Sequence, residues 1–318
     1  MKNKPIIVLS GDPQSIFFEI FFKSLKKNNF KSPLILISSL KILRSQMKKN
    51  KFKRSIRLIN INDIKKDLNN KMINIINVDY DELNSKKQKF KKILFLKKFF
   101  EISFKILKMG LSYKFINGPI NKSTFLDKKY LGITEYISKK FNRKKFAMLI
   151  YNEKLSVCPI TTHLPLKLVT KKISKKTIKE KVNIIDDFYK KFLKFKPRIG
   201  IVGLNPHCES IHNFNEDQKI LLPAIKSLKK KINVKGPFPA DTIFLNNNRK
   251  KFDVIIGMYH DQVLAPIKTL FEYNAINITL GLPFIRVSPD HGPNKSMIGK
   301  NKSSPISLIK ALSFLDKK

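Results

Sequence analysis

"FDVIIGMYHDQVLAPIK", residues 252–268, changes character in its middle. The apolar run at its start reads as a buried β-strand, short and closed by glycine. Directly after it stand Tyr259, His260, Asp261 and Gln262, polar groups able to titrate or bind. Two other stretches repeat the arrangement: "LSVCPITTHLPL" (155–166) and "RIGIVGLNPHCESIHNFNEDQ" (198–218). His163, His207 and His260 therefore each follow the C-terminal end of an expected strand, where open α/β sheets bind their ligands. The chain has only five histidines, so three in equivalent places weigh against a structural role for each alone. His212 reads as a surface residue and His291, in "SPDHG", as a turn residue.

Outward from these segments, short apolar runs alternate with longer amphipathic ones, the pattern of an α/β layer fold. Residues 4–10 and 32–39 read as strands, and "PQSIFFEIFFKSLKKNN" between them as a helix with Pro13 near its start. Residues 86–109 read as a long helix stopped by Gly110. Residues 171–195 read as another, with Ile178, Val182, Ile185, Phe188 and Phe192 on one face. Residues 40–84 are Lys-, Asn- and Ile-rich and poorly periodic.

The formal charge of +42 on 318 residues invites a nucleic-acid reading. Only seven of the 65 basic residues are Arg, whereas phosphate and base recognition favours the rigid guanidinium fork. The Lys residues are also spread along the chain, so the excess reads as a solvated surface, with weak, salt-sensitive polyanion binding and no specific nucleic acid. Lys is absent from four windows: 155–166, 198–218, 252–267 and "GPFPADTIFLNNN" (236–248). Core packing excludes Lys from their apolar halves. It does not account for the polar ends "TTH", "NPH", "ADT" and "YHDQ", which point to chemistry.

No run approaches the roughly 18 apolar residues of a membrane span, and the N-terminus lacks the form of a secretory signal. Two cysteines, Cys158 and Cys208, give neither metal spacing nor a disulfide framework, in keeping with a cytoplasmic setting. No G-x-G occurs, so the dinucleotide fingerprint and the P-loop are both absent.

Three imidazoles at strand ends make a site for a divalent metal with open positions. Asp261 is a candidate for orienting the neighbouring imidazole or for general base, and Asp241, in "GPFPADT", a candidate catalytic carboxylate or a helix cap or turn residue. Lys122, Lys268 and Arg286 are cations near expected loop ends, suited to a carboxylate or phosphate.

"TTHLPL", "GLNPH", "GPFPADTIF", "MYHDQVLAPIK" and "NITLGLPFIRVSPDHG", in this order, resemble 4-hydroxythreonine-4-phosphate dehydrogenases of vitamin B6 (pyridoxine) biosynthesis. The "GDP" of 11–13 and "GPINK" of 118–122 are also similar, and the resemblance covers about residues 5–315. It implies a two-domain, three-layer α/β fold similar to isocitrate and isopropylmalate dehydrogenases, divided here as 1–125 plus 270–318 and 126–269. The second domain would carry the metal histidines and the dimer interface. The resemblance further implies a cytoplasmic homodimer with shared active sites. His163, His207 and His260 would be the metal ligands, His260 reaching across from the partner subunit. Thr134, Lys268, Asn277 and Arg286 would bind the phosphorylated amino-acid substrate. The implied cofactors are NAD or NADP and one divalent metal (zinc, cobalt, manganese or magnesium). The implied reaction oxidises 4-phosphohydroxy-L-threonine to a β-keto acid, which decarboxylates to 3-amino-2-oxopropyl phosphate.

Several positions depart from the family pattern. Ile133 replaces a histidine before Thr134, "QSIFFEI" replaces small residues after "GDP", "CESIHN" replaces glycines after "GLNPH", and Pro293-Asn294 stands where Thr-Ala is usual. The loss at 133 favours a rival reading, an oxidative decarboxylase of another phosphorylated four-carbon hydroxy acid. A second rival is a non-enzymatic basic binding protein; the retained histidines argue against it.

Overall fold

The structure, a computed structural model, describes residues 4–80, 88–121, 125–126, 130, 132–209, 214–289 and 292–318. The chain divides into two compact units, Met1–Ile133 with Pro283–Lys318, and Thr134–Leu282.

The first unit contains β1 (Ile6–Leu9), α1 (Phe17–Lys27), β2 (Leu34–Ser38), α2 (Leu40–Lys49), β3 (Ile56–Leu58), β4 (Ile73–Asn77), α3 (Gln88–Lys108), β5 (Lys114–Asn117), β12 (Ile285–Pro289) and the C-terminal helix Ile306–Asp316. Its strands lie in the order β3-β4-β2-β1-β5-β12 and all run parallel. Every residue of β1, β2 and β5 is buried, as expected of a parallel sheet covered on both faces. Phe17, Phe21, Phe99, Phe100 and Phe115 fill the core around them. Gly110, at φ +67°, ends α3 as the sequence predicts. Pro13 lies before α1 rather than in its first turn, because the Asp12 carboxylate accepts from Gln14 N (3.0 Å) and turns the chain first. The poorly periodic 40–84 region holds α2, β3 and β4; β3 is an edge strand of only three residues, too short and exposed to leave a pattern.

The second unit contains α4 (Ile133–Lys140, its first residue at the boundary), β6 (Ala147–Tyr151), β7 (Ser156–Pro159), α5 (Lys175–Phe188), β8 (Ile199–Val202), α6 (Leu222–Lys229), β9 (Val234–Phe238), β10 (Val254–Gly257), α7 (His260–Phe271) and β11 (Ile276–Leu280). The sheet order is β11-β6-β7-β10-β8-β9. The β11-β6 and β6-β7 pairs are antiparallel, whereas β7, β10, β8 and β9 run parallel. Pro237 is tolerated in β9 because β9 is an edge strand, where no ladder donor is lost.

The helix expected over 171–195 is shorter, with Ile173 extended and α5 starting at Lys175. Ser174 is its cap: its hydroxyl accepts from Thr177 N (3.1 Å), and Thr177 Oγ1 accepts from Ser174 N (3.0 Å). A wider turn, Tyr189–Leu193, follows α5. Ile178, Val182, Ile185 and Phe188 are buried, as the periodicity requires, and Phe192 is half-buried. Ser174→Ala is expected to cost about 1 kcal/mol, seen as a lower urea midpoint with an unchanged slope.

No helix among the described residues is long and apolar enough to cross a membrane.

Candidate active site

The strands preceding the three histidines, β7, β10 and β8, are immediate neighbours and run parallel. Their C-terminal ends share one edge of the sheet, so the three loops after them leave side by side. The apolar face of α7, Val263, Leu264 and Ile267, packs into a core with Val157, Val202 and Ile255. That packing fixes the start of α7, and His260 with it, above the end of β10.

His163 and His260 meet within the chain, their ring centroids 5.8 Å apart. Two imidazoles sharing one cation at about 2.0–2.1 Å from each ligating nitrogen can have this spacing. His260 Nδ1 lies 2.7 Å from Asp261 Oδ1, which orients the ring and leaves Nε2 as the nitrogen a cation could take. The donor set therefore fits a divalent cation of the kind imidazole prefers. His207 stands on the third loop, exposed, in a left-handed backbone conformation (φ 53°) followed by Cys208 at φ 63°. Among the described residues no group of three His, Cys, Asp or Glu side chains is close enough to hold a metal ion. The single chain thus joins two of the three expected ligands. His260, expected from a partner subunit, lies beside His163 of its own chain.

Asp241 is exposed, in the first turn of the short helical segment Ala240–Ile243 rather than in a loop. Burial pushes the Cys208 thiol up to about 11, and the negative charges of Asp217, Asp241 and Glu209 add to that rise. Asp241 therefore lies within electrostatic reach of the turn bearing His207. Asp261 is largely exposed and engaged with His260.

Lys268 lies two turns along α7 from His260, half-buried, and burial lowers its pKa. Asn277, in β11, has a buried side-chain oxygen without a hydrogen-bond partner, Oδ1, an acceptor available to a ligand donor. Thr134 sits in the first turn of α4, half-buried. Ile133 beside it is buried. Arg286, in β12 of the first unit, is 3% exposed, and its Nε donates to Asn117 Oδ1 (2.8 Å). Lys122, His212 and His291 lie outside the described residues.

The polar ties between the loops are the part that sequence reading missed. Thr161 Oγ1 donates to Met258 O (2.8 Å), joining the loop of His163 to that of His260. Gln262 accepts from Met258 N and donates through Nε2 to Gly203 O, both at 2.7 Å, joining the loop of His260 to that of His207. Asp217, fully buried, accepts from Leu204 N (2.7 Å), Asn205 N (2.9 Å) and Asn205 Nδ2 (2.9 Å). Asp217 and Gln262 both fall in or beside the Lys-free windows, the only signal in the sequence that could have marked them.

The chain matches a family model described as "Pyridoxal phosphate biosynthetic protein PdxA" over residues 29–315. It is 38% identical over 315 residues to a 4-hydroxythreonine-4-phosphate dehydrogenase of Sulfurihydrogenibium sp., covering 96% of each chain. It is also 34% identical to a D-threonate 4-phosphate dehydrogenase of Pectobacterium atrosepticum over 203 residues, 63% of this chain and 62% of that one. Among solved structures, a 4-hydroxythreonine-4-phosphate dehydrogenase from Klebsiella pneumoniae superposes with a TM-score of 0.81 at 27% identity, covering 99% of this chain and 100% of that one. A match across most of the length, in sequence and in fold, makes this chain a member of the pyridoxal phosphate biosynthetic PdxA family.

Proposed function

We propose that the protein oxidises 4-phosphohydroxy-L-threonine at its 3-hydroxyl with NAD or NADP, in a reaction that needs a divalent cation. The β-keto acid formed loses carbon dioxide to give 3-amino-2-oxopropyl phosphate. The observation that carries this reading is the convergence of three histidine loops on one sheet edge, with His163 and His260 in register for a shared cation. His163, His207 and His260 are the ligands, and zinc, cobalt, manganese and magnesium are the candidate metals. When bound, the cation supplies Lewis-acid polarisation of the alcohol and of the ketone it becomes.

The chain's own groups do the rest. The Asp261 carboxylate holds His260 in one ring orientation through Nδ1. Asp241, exposed beside the His207 turn, is the better general base, because Asp261 is already engaged. Thr134, Lys268, Asn277 and Arg286 bind the phosphate and carboxylate and so fix the reacting carbon for hydride transfer. The burial that lowers the Lys268 pKa also sharpens its attraction to an anion, since less water screens it. A cytoplasmic homodimer with shared active sites, and kinship of the fold with isocitrate and isopropylmalate dehydrogenases, belong to the same proposal.

One observation favours a second reading, D-threonate 4-phosphate as substrate. Ile133 cannot donate to a phosphate, and a relative carrying that activity by name matches this chain. The deciding assay supplies metal and follows NAD(P)H absorbance with each phosphorylated acid in turn. Faster turnover of 4-phosphohydroxy-L-threonine supports the first reading, and faster turnover of D-threonate 4-phosphate replaces it with the second.

A further inference from the structure

A cavity of about 330 Å³ opens on the second unit, lined by residues between Arg198 and Phe252. Arg198, Ile199, Asn233 and Lys235 place it where β8 and β9 begin, whereas His207 follows the other end of β8. The cavity is therefore separate from the histidine loops and owes nothing to a bound metal.

Its floor is apolar because one strand position lacks a side chain. Gly200 pairs with Lys235 across the β8–β9 ladder, so the two positions share a face of the sheet. A Cβ on Gly200 would stand 3.1 Å from the Phe252 ring and 3.2 Å from Ile243 Cδ1. Bare backbone there lets Phe252 and Ile243 settle onto the strand. The Phe238 ring lies beside them, its centroid 5.3 Å from that of Phe252 and its plane tilted by 58°.

The rim is cationic and held in place. Arg198 donates from Nε (3.1 Å) and Nη2 (2.8 Å) to the Asp253 carboxylate, which fixes the guanidinium plane. Lys251 Nζ donates to Asn248 Oδ1 (3.2 Å), and Asn248 Nδ2 donates to Thr242 O (3.0 Å). Lys235 stands exposed on the edge strand. Three cations against the one carboxylate of Asp253 leave a net charge of +2 around an aromatic floor.

We propose that this cavity is a second ligand site, for a planar aromatic ring that carries a phosphate monoester. The ring packs on Phe238 and Phe252, and the phosphate sits between Lys235 and Lys251. A phosphate monoester bears about −1.5 to −2 charges at pH 7, which matches the rim. An aromatic ring takes up the apolar floor in offset or edge-on contact. The volume is at the small end for ligand sites, suited to one ring and one phosphate.

The test titrates phenyl phosphate into the full chain by calorimetry. Lys235→Ala and Lys251→Ala each remove one rim cation, and both lysines are exposed, so the fold is retained. The control is Lys176→Ala, an exposed lysine in the first turn of α5 and outside the cavity, which removes the same charge. Each rim variant is expected to weaken phenyl phosphate by about tenfold, and the control to leave it unchanged. Phosphate bound at Lys268 is untouched by either rim variant, so the two sites are distinguished. Phenol and inorganic phosphate are each expected to bind at least about tenfold more weakly than phenyl phosphate, because each fills half of the site. AMP and pyridoxine 5′-phosphate are then compared, and the tighter of the two identifies the source of the ring as a nucleotide or a pyridine. Absence of saturable binding, wild-type affinity in both rim variants, or an equal loss in the control overturns the proposal. Inorganic phosphate binding as tightly as phenyl phosphate also overturns it, by showing an anion site that makes no use of the rings.

Discussion

Replacing His260 with alanine is expected to lower turnover by on the order of 10³-fold while the protein stays folded. The expectation follows from where the side chain is and what it does not support. His260 is the first residue of α7, a position alanine occupies easily, and its ring is only partly covered. Its ring pairs with Asp261, whose carboxylate is itself exposed. Removal therefore leaves no buried group unsatisfied and opens no cavity in the core. What is lost is one of two imidazoles that face each other across 5.8 Å. Bound metal, measured after dialysis against a trace of chelator, should fall in step with turnover, and the far-ultraviolet circular dichroism should not change. A His260→Ala protein that retains its metal and full activity would remove this residue from the site.

Asp217→Ala carries the largest expected cost in stability, about 3–5 kcal/mol. The carboxylate is completely buried and accepts three hydrogen bonds from the segment leading to His207. Without it, the backbone N–H groups of Leu204 and Asn205 lose this acceptor, while the Asn205 amide keeps Glu216 Oε2 (3.1 Å). Asp217→Asn keeps the shape but turns one acceptor into a donor facing donors, so an intermediate loss is expected. Guanidinium unfolding should show the order wild type, Asn, Ala in midpoint at constant slope. The same variants should lose cation affinity, because the turn at His207 and Cys208 is left-handed at two successive non-glycine residues. Such a conformation costs roughly 1–3 kcal/mol per residue and persists only where surrounding contacts impose it. Unchanged unfolding of Asp217→Ala would mean that the segment finds other partners.

Much of the fold was legible because burial writes itself into periodicity. The apolar strands β1 and β10, the mostly apolar β2 and the long α3 could be read directly, since parallel strands covered on both faces tolerate little else. β3 was not legible, because three half-exposed residues at a sheet edge carry no pattern. The start of α5 was hidden because one hydroxyl cap at Ser174 overrides an apolar stripe that continues through it. The placement of His163, His207 and His260 after strands was legible for the same reason as the strands themselves. That His163 and His260 are the pair that meets was not, since it depends on β10 lying between β7 and β8. The ties through Gln262 and Asp217 span 59 and 13 residues to Gly203 and Leu204, and nothing local encodes them.

The position of β10 also has a consequence for biosynthesis. It is the last of the three strands to leave the ribosome, yet it takes the middle place, between β7 and β8. The nascent polypeptide therefore cannot bring His260 to His163 until it has been translated past β10.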